Sequence, residues 1–489
     1  MSGPLEPGTV LDGFRIEGLV HTGGMALLYR VTGGPEPGFP MLMKVPRLGP
    51  GEPATSVISF EIEETLLRAL SGPHVPRFVA AGDLSATPYL VMEEIEGRSL
   101  KEWAERAPLP ADEVARLGAA LATAVDALHV QEAIHLDLKP SNAIVRPDGQ
   151  VVLIDFGLSH HAHYPDLLAE EFARPIGSAP YISPEQIVGL RSDPRSDVFA
   201  LGAVLYELAT GRLPFGSPSG QGGLRRRLHR DPVPPRAVVP AVPKWLQEIV
   251  LRCLEVDARH RYPTAAQLAF ALANPAEVAV GERGERLRTA GPLVHLRRWV
   301  KAAGYEPAPV ERPSEQLAGA SIVMVAVATH KLDAREADAL REAVRRVLAM
   351  EGDARLACVT VIRPASELGG SSEADTATSQ RIKHLVQIRH WAEPLRLEAA
   401  RISFHVLEST DAAEALLRYA RVNAVDHVVV GAPPREVAMK GMLGAVSTDV
   451  APEAAPEPLQ LFRLVGTVST KVALEAPCTV TVVRPRAAR

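Results

Sequence analysis

Between Ile134 and Gly157 the chain reads IHLDLKPSNAIVRPDGQVVLIDFG. A carboxylate, Asp137, is followed closely by an ammonium, Lys139, and an amide, Asn142. Asp148-Gly149 then marks a tight turn. Val151 to Ile154 reads as a β-branched strand, and Asp155 adds a second carboxylate. These residue types at this spacing suit transfer of a phosphoryl group from ATP. One carboxylate orients the acceptor hydroxyl, and the ammonium balances charge on the moving group. The amide and the second carboxylate hold Mg²⁺.

The words HLDLKPSN and DFG, in this order and this close, resemble the protein kinase signature set. The resemblance implies that Asp137 is the catalytic carboxylate and that Lys139 stabilises charge on the γ-phosphate. Lys139 is similar to the lysine of the serine/threonine branch. Asn142 and Asp155 become the metal pair, and Ile144 floors the adenine slot. The middle residue of His135-Leu136-Asp137 is apolar, whereas many kinases carry an Arg there that ties a phosphorylated activation loop to the catalytic loop. The loop Leu158 to Gly177 contains no Thr, and its only Ser is Ser159. Activity independent of phosphorylation in this loop is therefore expected. His160, His161 and His163 in the same loop are expected to form a solvated, flexible stretch and not a metal site.

An N-terminal lobe, about residues 12–95, must bring nucleotide to this centre. Phe14 to Arg30 reads as two strands around His21-Thr22-Gly23-Gly24, where glycines allow a tight turn and let backbone N–H groups approach phosphates. The kinase glycine-rich pattern falls on His21, Gly23, Ala26 and Leu28, with Gly24 and Val20 beside it, so only its middle glycine is kept. MLMKV, residues 41–45, is an apolar strand with one Lys, which needs a partner when buried. Ile58, Ile62, Leu66 and Leu70 form a helical stripe in the next segment. Glu61, Glu63 and Glu64 lie on that helix. By the family's spacing Glu63 pairs with Lys44, and Lys44 holds the α/β-phosphates. PYLVMEEIEG, residues 88–97, resembles the hinge: Met92 backs the pocket and the backbone from Glu93 to Ile95 meets adenine.

The C-terminal lobe is expected over residues 96–275. Asp112 to Gln131 is an amphipathic helix that delivers the chain to the catalytic loop. GSAPYISPEQ, residues 177–186, resembles the end of the activation segment, where Ser178 contacts the catalytic Asp and Lys. Glu185 takes the place of the glutamate of the A-P-E motif and is expected to pair with Arg261. Residues 196–215 read as a core helix ended by Gly211, and Asp197 near its start resembles the kinase residue that clamps the catalytic-loop backbone. Further helices are expected over Pro243–Glu255 and Thr264–Ala273. Residues 276–318 read as a linker with a short basic helix, Leu293 to Ala303.

The rest, residues 319–486, alternates apolar strands and helices, the pattern of a doubly wound parallel α/β sheet. ARVNAVDHVVVGA and LVGTVSTKVALEAPCTVTVVRP resemble the universal stress protein family. In its ATP-binding branch a Gly-x-x-Gly cradle follows the fourth strand. Here Gly431 is followed by Ala-Pro-Pro, and Thr329 or His330 stands where the family has Asp after the first strand. Gly466-Thr467 survives. A non-binding regulatory or dimerisation role is therefore expected. Residues 442–454 are echoed by 464–476, and the first copy, with Pro452, is expected to be a disordered insertion; the alternative is that Gly441 and Gly444 replace the missing glycines.

Composition narrows the classes. The chain has 489 residues, enough for two to four domains, and 46% are hydrophobic, as in ordinary globular chains. A net charge of −5 gives no general affinity for nucleic acid. Cys253, Cys358 and Cys478 form no CxxC and suit a reducing compartment. No signal peptide or long apolar run is visible, so a cytoplasmic location without a membrane span is expected. The expected architecture is multidomain, α+β then α/β: a bilobal kinase fold followed by the parallel α/β domain. The expected function is ATP- and Mg²⁺-dependent phosphorylation of Ser/Thr hydroxyls on proteins, with a homodimer through the C-terminal domain. The alternative is a pseudokinase scaffold that binds ATP without chemistry, suggested by His21 and Leu136.

Overall fold

The computed structural model describes residues 5–34, 38–47, 54–82, 87–164, 166, 168, 175–218, 220–289, 305, 321–329, 334–350, 352, 354–363, 373–397, 401–432 and 468–484. The chain falls into two compact units. The first holds residues 1–47, 58–82 and 88–313, and the second holds the remainder.

The first unit opens with an antiparallel sheet of β1 (Val10–Leu11), β2 (Phe14–Thr22), β3 (Ala26–Gly33), β4 (Met41–Pro46), β5 (Phe78–Ala81) and β6 (Leu90–Glu93). Their order is β1-β2-β3-β4-β6-β5, with α1 (Ala54–Ala69) between β4 and β5 in sequence. Strand alternation sorts the side chains. Phe14, Ile16, Tyr29, Val31, Met41, Met43, Tyr89 and Val91 form the buried face. Leu28 lies directly opposite Lys44 in the β3–β4 register, so the two share the other face. The expected turn at Gly23-Gly24 joins β2 to β3, closed by the Gly23 N–H donating to the Ala26 carbonyl at 2.9 Å.

The helical part follows: β7 (Arg98–Ser99), α2 (Lys101–Ala104), α3 (Ala111–His129), β8 (Ala133–Ile134), β9 (Ala143–Val145), β10 (Val151–Leu153) and β11 (His160–His161). Then come α4 (Pro184–Ile187), α5 (Arg195–Thr210), α6 (Gly220–Arg225), α7 (Pro235–Val238), α8 (Lys244–Cys253), α9 (Ala265–Ala273) and α10 (Glu282–Glu285). α5 is apolar almost all round and is buried along nearly its whole length, as a central helix must be. Gly211 ends it in the left-handed region at φ 67°. Gly202 permits the approach of α8, because a Cβ there would sit 2.5 Å from the Cys253 Cβ. Gly202→Ala is expected to cost about 1–3 kcal/mol in the unfolding of this unit, read by denaturant melts.

Two expectations change here. Residues 281–286, placed in the linker by composition, fold against α8. Gln247 Nε2 donates to the carbonyls of Arg283, Gly284 and Arg286, and Glu248 accepts the Gly281 and Gly284 N–H groups. Pro and Gly content hid a segment whose backbone is satisfied by side chains of another helix. The histidines are not a loose stretch either. His160 and His161 pair as β11 with Ile134 and Ala133, His161 is buried, and His163 forms an ion pair with Glu132. Among the described residues no group of His, Cys, Asp and Glu can hold a metal ion.

The second unit contains β12 (Ile322–Ala326), α11 (Ala334–Met350), β13 (Arg355–Ile362), α12 (Glu373–Ala392), β14 (Ile402–Glu408), α13 (Ala412–Val422), β15 (His427–Gly431), α14 (Val468–Glu475) and β16 (Thr479–Val483). Its strands are all parallel, in the order β14-β13-β12-β15-β16. The order reverses between β12 and β15, so the sheet is doubly wound as expected. The basic helix at Leu293–Ala303, the repeat at 442–454 with Gly441 and Gly444, His330 and Gly466-Thr467 lie outside the described residues. No helix among the described residues is long and apolar enough to cross a membrane.

Candidate active site

The cleft between the sheet and the helical part gathers the charged residues. Lys44 donates to Glu63 Oε2 and, at 3.1 Å, to Asp155 Oδ1. Of the three acidic residues on α1 the structure selects Glu63 for this pairing; Glu64 instead pairs with Arg68, a helical turn away at 3.0 Å. Burial opposes the Lys44 charge, but Glu63 and Asp155 outweigh it and raise its pKa. In return the Lys44 ammonium holds the Asp155 carboxyl below the ordinary carboxylate range, against the effect of burial.

A second cluster lies on the catalytic loop. Asp137 Oδ2 accepts Lys139 Nζ at 2.7 Å and Asn142 Nδ2 at 3.3 Å. Asp137 Oδ1 accepts the Ser178 N–H at 2.8 Å, and Lys139 Nζ also donates to Ser178 Oγ at 3.1 Å. Asn142 Nδ2 further donates to the Asp137 carbonyl at 3.0 Å, which fixes the amide's orientation. The Ile154 N–H donates to the Asn142 carbonyl at 3.0 Å, so β9 and β10 place Asn142 beside the strand that ends at Asp155. Asp137, Lys139, Asn142 and Asp155, close in sequence, are thus brought together by one loop and hairpin.

The loop is held from below. Asp197, near the start of α5, accepts the His135 N–H at 2.8 Å and the Leu136 N–H at 2.9 Å. Leu136 sits at φ 61°, a conformation that costs a non-glycine residue about 1–3 kcal/mol and persists only when its surroundings enforce it. Burial works against the Asp197 charge, but His129, bonded at 2.9 Å, and His135 together outweigh it and lower the carboxyl's pKa. His129 carries no signal in the sequence beyond ending α3. Gln186 Nε2 completes the support by donating to the Leu136 carbonyl at 2.8 Å. Glu185 and Arg261 meet as a buried two-pronged pair at 2.6 and 2.9 Å.

The apolar residues expected around adenine lie as follows. Met92 and Ile95 are buried, Ile144 and Leu28 half-buried, and Val20 exposed beside the Gly23-Gly24 turn. Glu93, chosen for its backbone, is used through its side chain as well. Its carboxylate accepts Arg77 Nε at 2.9 Å and Arg146 Nη2 at 2.8 Å, tying the end of β6 to the second lobe's first hairpin. Two cations so far apart in sequence give no signal of a shared partner.

In the second unit the residues after the first strand carry a hydroxyl–imidazole network. Thr329 Oγ1 lies 3.1 Å from Thr360 Oγ1 and 2.6 Å from His384 Nδ1. It stands where the universal stress family's carboxylate was expected to be replaced. Gly431 closes β15, and residues 433–467 lie outside the described chain.

Comparison with known proteins agrees with both halves. Residues 52–270 match the protein kinase domain family, and residues 322–455 match the universal stress protein family. A probable serine/threonine-protein kinase of Clostridium perfringens is 32% identical over 43% of this chain and 30% of its own length. The serine/threonine-protein kinase Pkn1 of Myxococcus xanthus is 36% identical over 45% of this chain and 32% of its own. Serine/threonine-protein kinase PrkC of Bacillus subtilis is 28% identical over 52% of this chain and 40% of its own. The chain thus spans less than half the length of each of these curated relatives. On its motifs, its fold and these matches, the chain carries a protein kinase domain over residues 52–270, similar to those of bacterial serine/threonine-protein kinases, followed by a universal stress protein domain over residues 322–455.

Proposed function

We propose that the protein transfers the γ-phosphate of ATP to Ser or Thr hydroxyls of protein substrates, with the second unit as a regulatory element. One observation carries this reading. Lys44 is bonded to both Glu63 and Asp155 while Ser178 is bonded to both Asp137 and Lys139, so both halves of the site are assembled at once. A protein that only binds nucleotide has no need of the second half.

In this reading the Asp137 carboxylate orients the acceptor hydroxyl and takes its proton, and Lys139 balances charge on the transferred group. Lys44, fixed by Glu63, grips the α/β-phosphates, with backbone N–H groups of the Gly23-Gly24 turn above them. The Glu93 carbonyl and Ile95 amide meet adenine between Val20, Leu28, Met92 and Ile144. Asn142 Oδ1 and the Asp155 carboxylate are hard oxygen donors, a set that fits Mg²⁺, which takes one or two carboxylates and completes its shell with phosphate oxygens and water. When bound, the ion neutralises phosphate charge. Ser178 serves the docking end of the substrate. Glu185, Arg261 and Asp197 are structural supports.

The test is transfer of label from γ-labelled ATP with Mg²⁺ to a generic basic protein. Label is expected on Ser and Thr. Lys44→Met is expected to lower kcat/KM about 100-fold, the scale of losing one fixed donor to the phosphates. ATP bound without any transfer to substrate, from wild type and Lys44→Met alike, rejects the enzyme in favour of a scaffold.

For the second unit, Thr329 in place of the family's carboxylate and the Ala-Pro-Pro after Gly431 favour regulation without nucleotide. β16 is an edge strand among the described residues and offers a surface for a homodimer. Sedimentation of the full chain reads that state. Three cysteines without disulfide partners suit a cytoplasmic setting.

A further inference from the structure

The described residues of the activation segment are held by side-chain and backbone contacts from the catalytic loop and from the loop before α5. Its hydroxyl side chains between Leu158 and Gly177 are Ser159 and Tyr164. Ser159 is buried, and its hydroxyl donates to the His135 carbonyl at 3.0 Å, so it faces the catalytic loop and not a modifying enzyme. Leu136 is buried as well and presents no charge to the segment.

What replaces that contact comes from a different element. Arg191, in the loop between α4 and α5, is 7% exposed. Its Nε donates to Asp166 Oδ2 at 2.7 Å, and its Nη2 donates to the Leu158 carbonyl at 2.8 Å. Asp166 is 11% exposed, and His160 Nδ1 lies 3.7 Å from it. Leu158, only three residues after Asp155, packs against the buried pair of Ile58 on α1 and Leu168 in the segment, as do Ile62 of α1 and Ile176. Ile62 precedes Glu63. A physical chain thus runs from Asp166 through Arg191 and Leu158 to the helix that carries the Lys44 partner. Gly157 keeps this approach close, since a Cβ there would meet Ser59 at 3.0 Å.

We propose that Asp166 and Arg191 are positioning residues: a fixed carboxylate-guanidinium lock that does for this segment what a phosphoryl group on an arginine does in phosphorylation-dependent kinases. This rests on the kinase reading above. A carboxylate largely out of water gives a charge-assisted bond without any modification. The lock acts on Asp155 and Glu63 through Leu158 and touches no substrate.

The test uses the full chain, phosphatase-treated and untreated, with label transfer to a generic substrate and mapping of phosphosites. Phosphatase treatment is expected to leave kcat within about twofold, while Asp166→Asn lowers kcat about tenfold and leaves KM for ATP within about twofold. Asp166→Glu keeps the charge and restores most of the rate. Arg191→Gln and Asp166→Asn together are expected to lose no more than Arg191→Gln alone, because Arg191→Gln already removes the bond to Asp166 along with the one to Leu158. An active wild type with an unchanged Asp166→Asn rate overturns the lock and spares the kinase reading. So does loss of activity on dephosphorylation of the segment. A wild type that transfers no label removes the kinase reading and the lock together. If Asp166→Asn fails to fold, Asp166→Glu against Arg191→Gln decides on the same criteria.

Discussion

Asp137→Asn is expected to lower phosphoryl transfer about 1,000-fold while leaving the melting temperature nearly unchanged. The carboxylate has two committed oxygens. Oδ1 accepts the Ser178 N–H, and Oδ2 accepts Lys139 Nζ and Asn142 Nδ2. An amide has one acceptor oxygen and one donor nitrogen. Whichever way Asn turns, it sets a donor against either the Ser178 N–H or the Lys139 ammonium. It also cannot take a proton from an alcohol. The loop itself does not depend on that carboxylate for its shape, because Asp197 holds the His135 and Leu136 N–H groups and Gln186 holds the Leu136 carbonyl. The measurement is kcat from label transfer beside a thermal melt. A rate within tenfold of wild type would remove Asp137 from the chemistry.

The largest effect on stability is expected at Arg261. Its side chain is 0% exposed and that of Glu185 1%. Besides the paired bonds to Glu185, Arg261 donates to the carbonyls of Glu255, Arg195 and Val256 and lies over the Phe199 ring. Arg261→Met is expected to cost about 3–5 kcal/mol, mostly because it strands the Glu185 charge. Replacing both residues with apolar ones is expected to return much of that loss.

The pH dependence separates this cause from simple loss of packing. Burial raises the Glu185 pKa, but Arg261 outweighs it and holds the folded-state value below the ordinary 4.5. A depressed folded value adds stability above the unfolded pKa, and that stability is lost as the pH falls through 4.5 towards the folded value. In Arg261→Met the isolated carboxyl shifts upward instead and takes a proton more readily. The gap between wild type and variant should therefore be widest at neutral or higher pH and narrow on acidification. Urea melts at two pH values read it, and a gap that does not narrow assigns the loss to packing. Because Glu185 follows the Ser178 segment, the variant should also lose substrate turnover before it unfolds.

Local words in the chain carried most of the site. HLDLKPSN and DFG are close in sequence, so a single loop and hairpin suffice to join Asp137, Lys139, Asn142 and Asp155. The alternation of apolar strands and amphipathic helices after residue 319 was enough for a parallel doubly wound sheet, since buried parallel strands need no other partner pattern. Distant pairs were legible only through family spacing, as for Lys44 with Glu63 and Glu185 with Arg261. The side-chain role of Glu93, the part played by His129, the ordered histidines of β11 and the folded stretch at 281–286 were not legible. Each depends on which surfaces meet, and periodicity carries no information about that.

The sequence by itself determined the two domains, their fold classes and the set of groups suited to phosphoryl transfer, because these follow from local spacing and hydrophobic pattern. Only the tertiary structure decided that Glu64 turns to Arg68, that His129 supports Asp197 and that Arg191 reaches Asp166. A charged side chain's partner is set by the packing of elements far apart along the chain, where burial makes one pairing favourable and leaves its neighbours in other contacts.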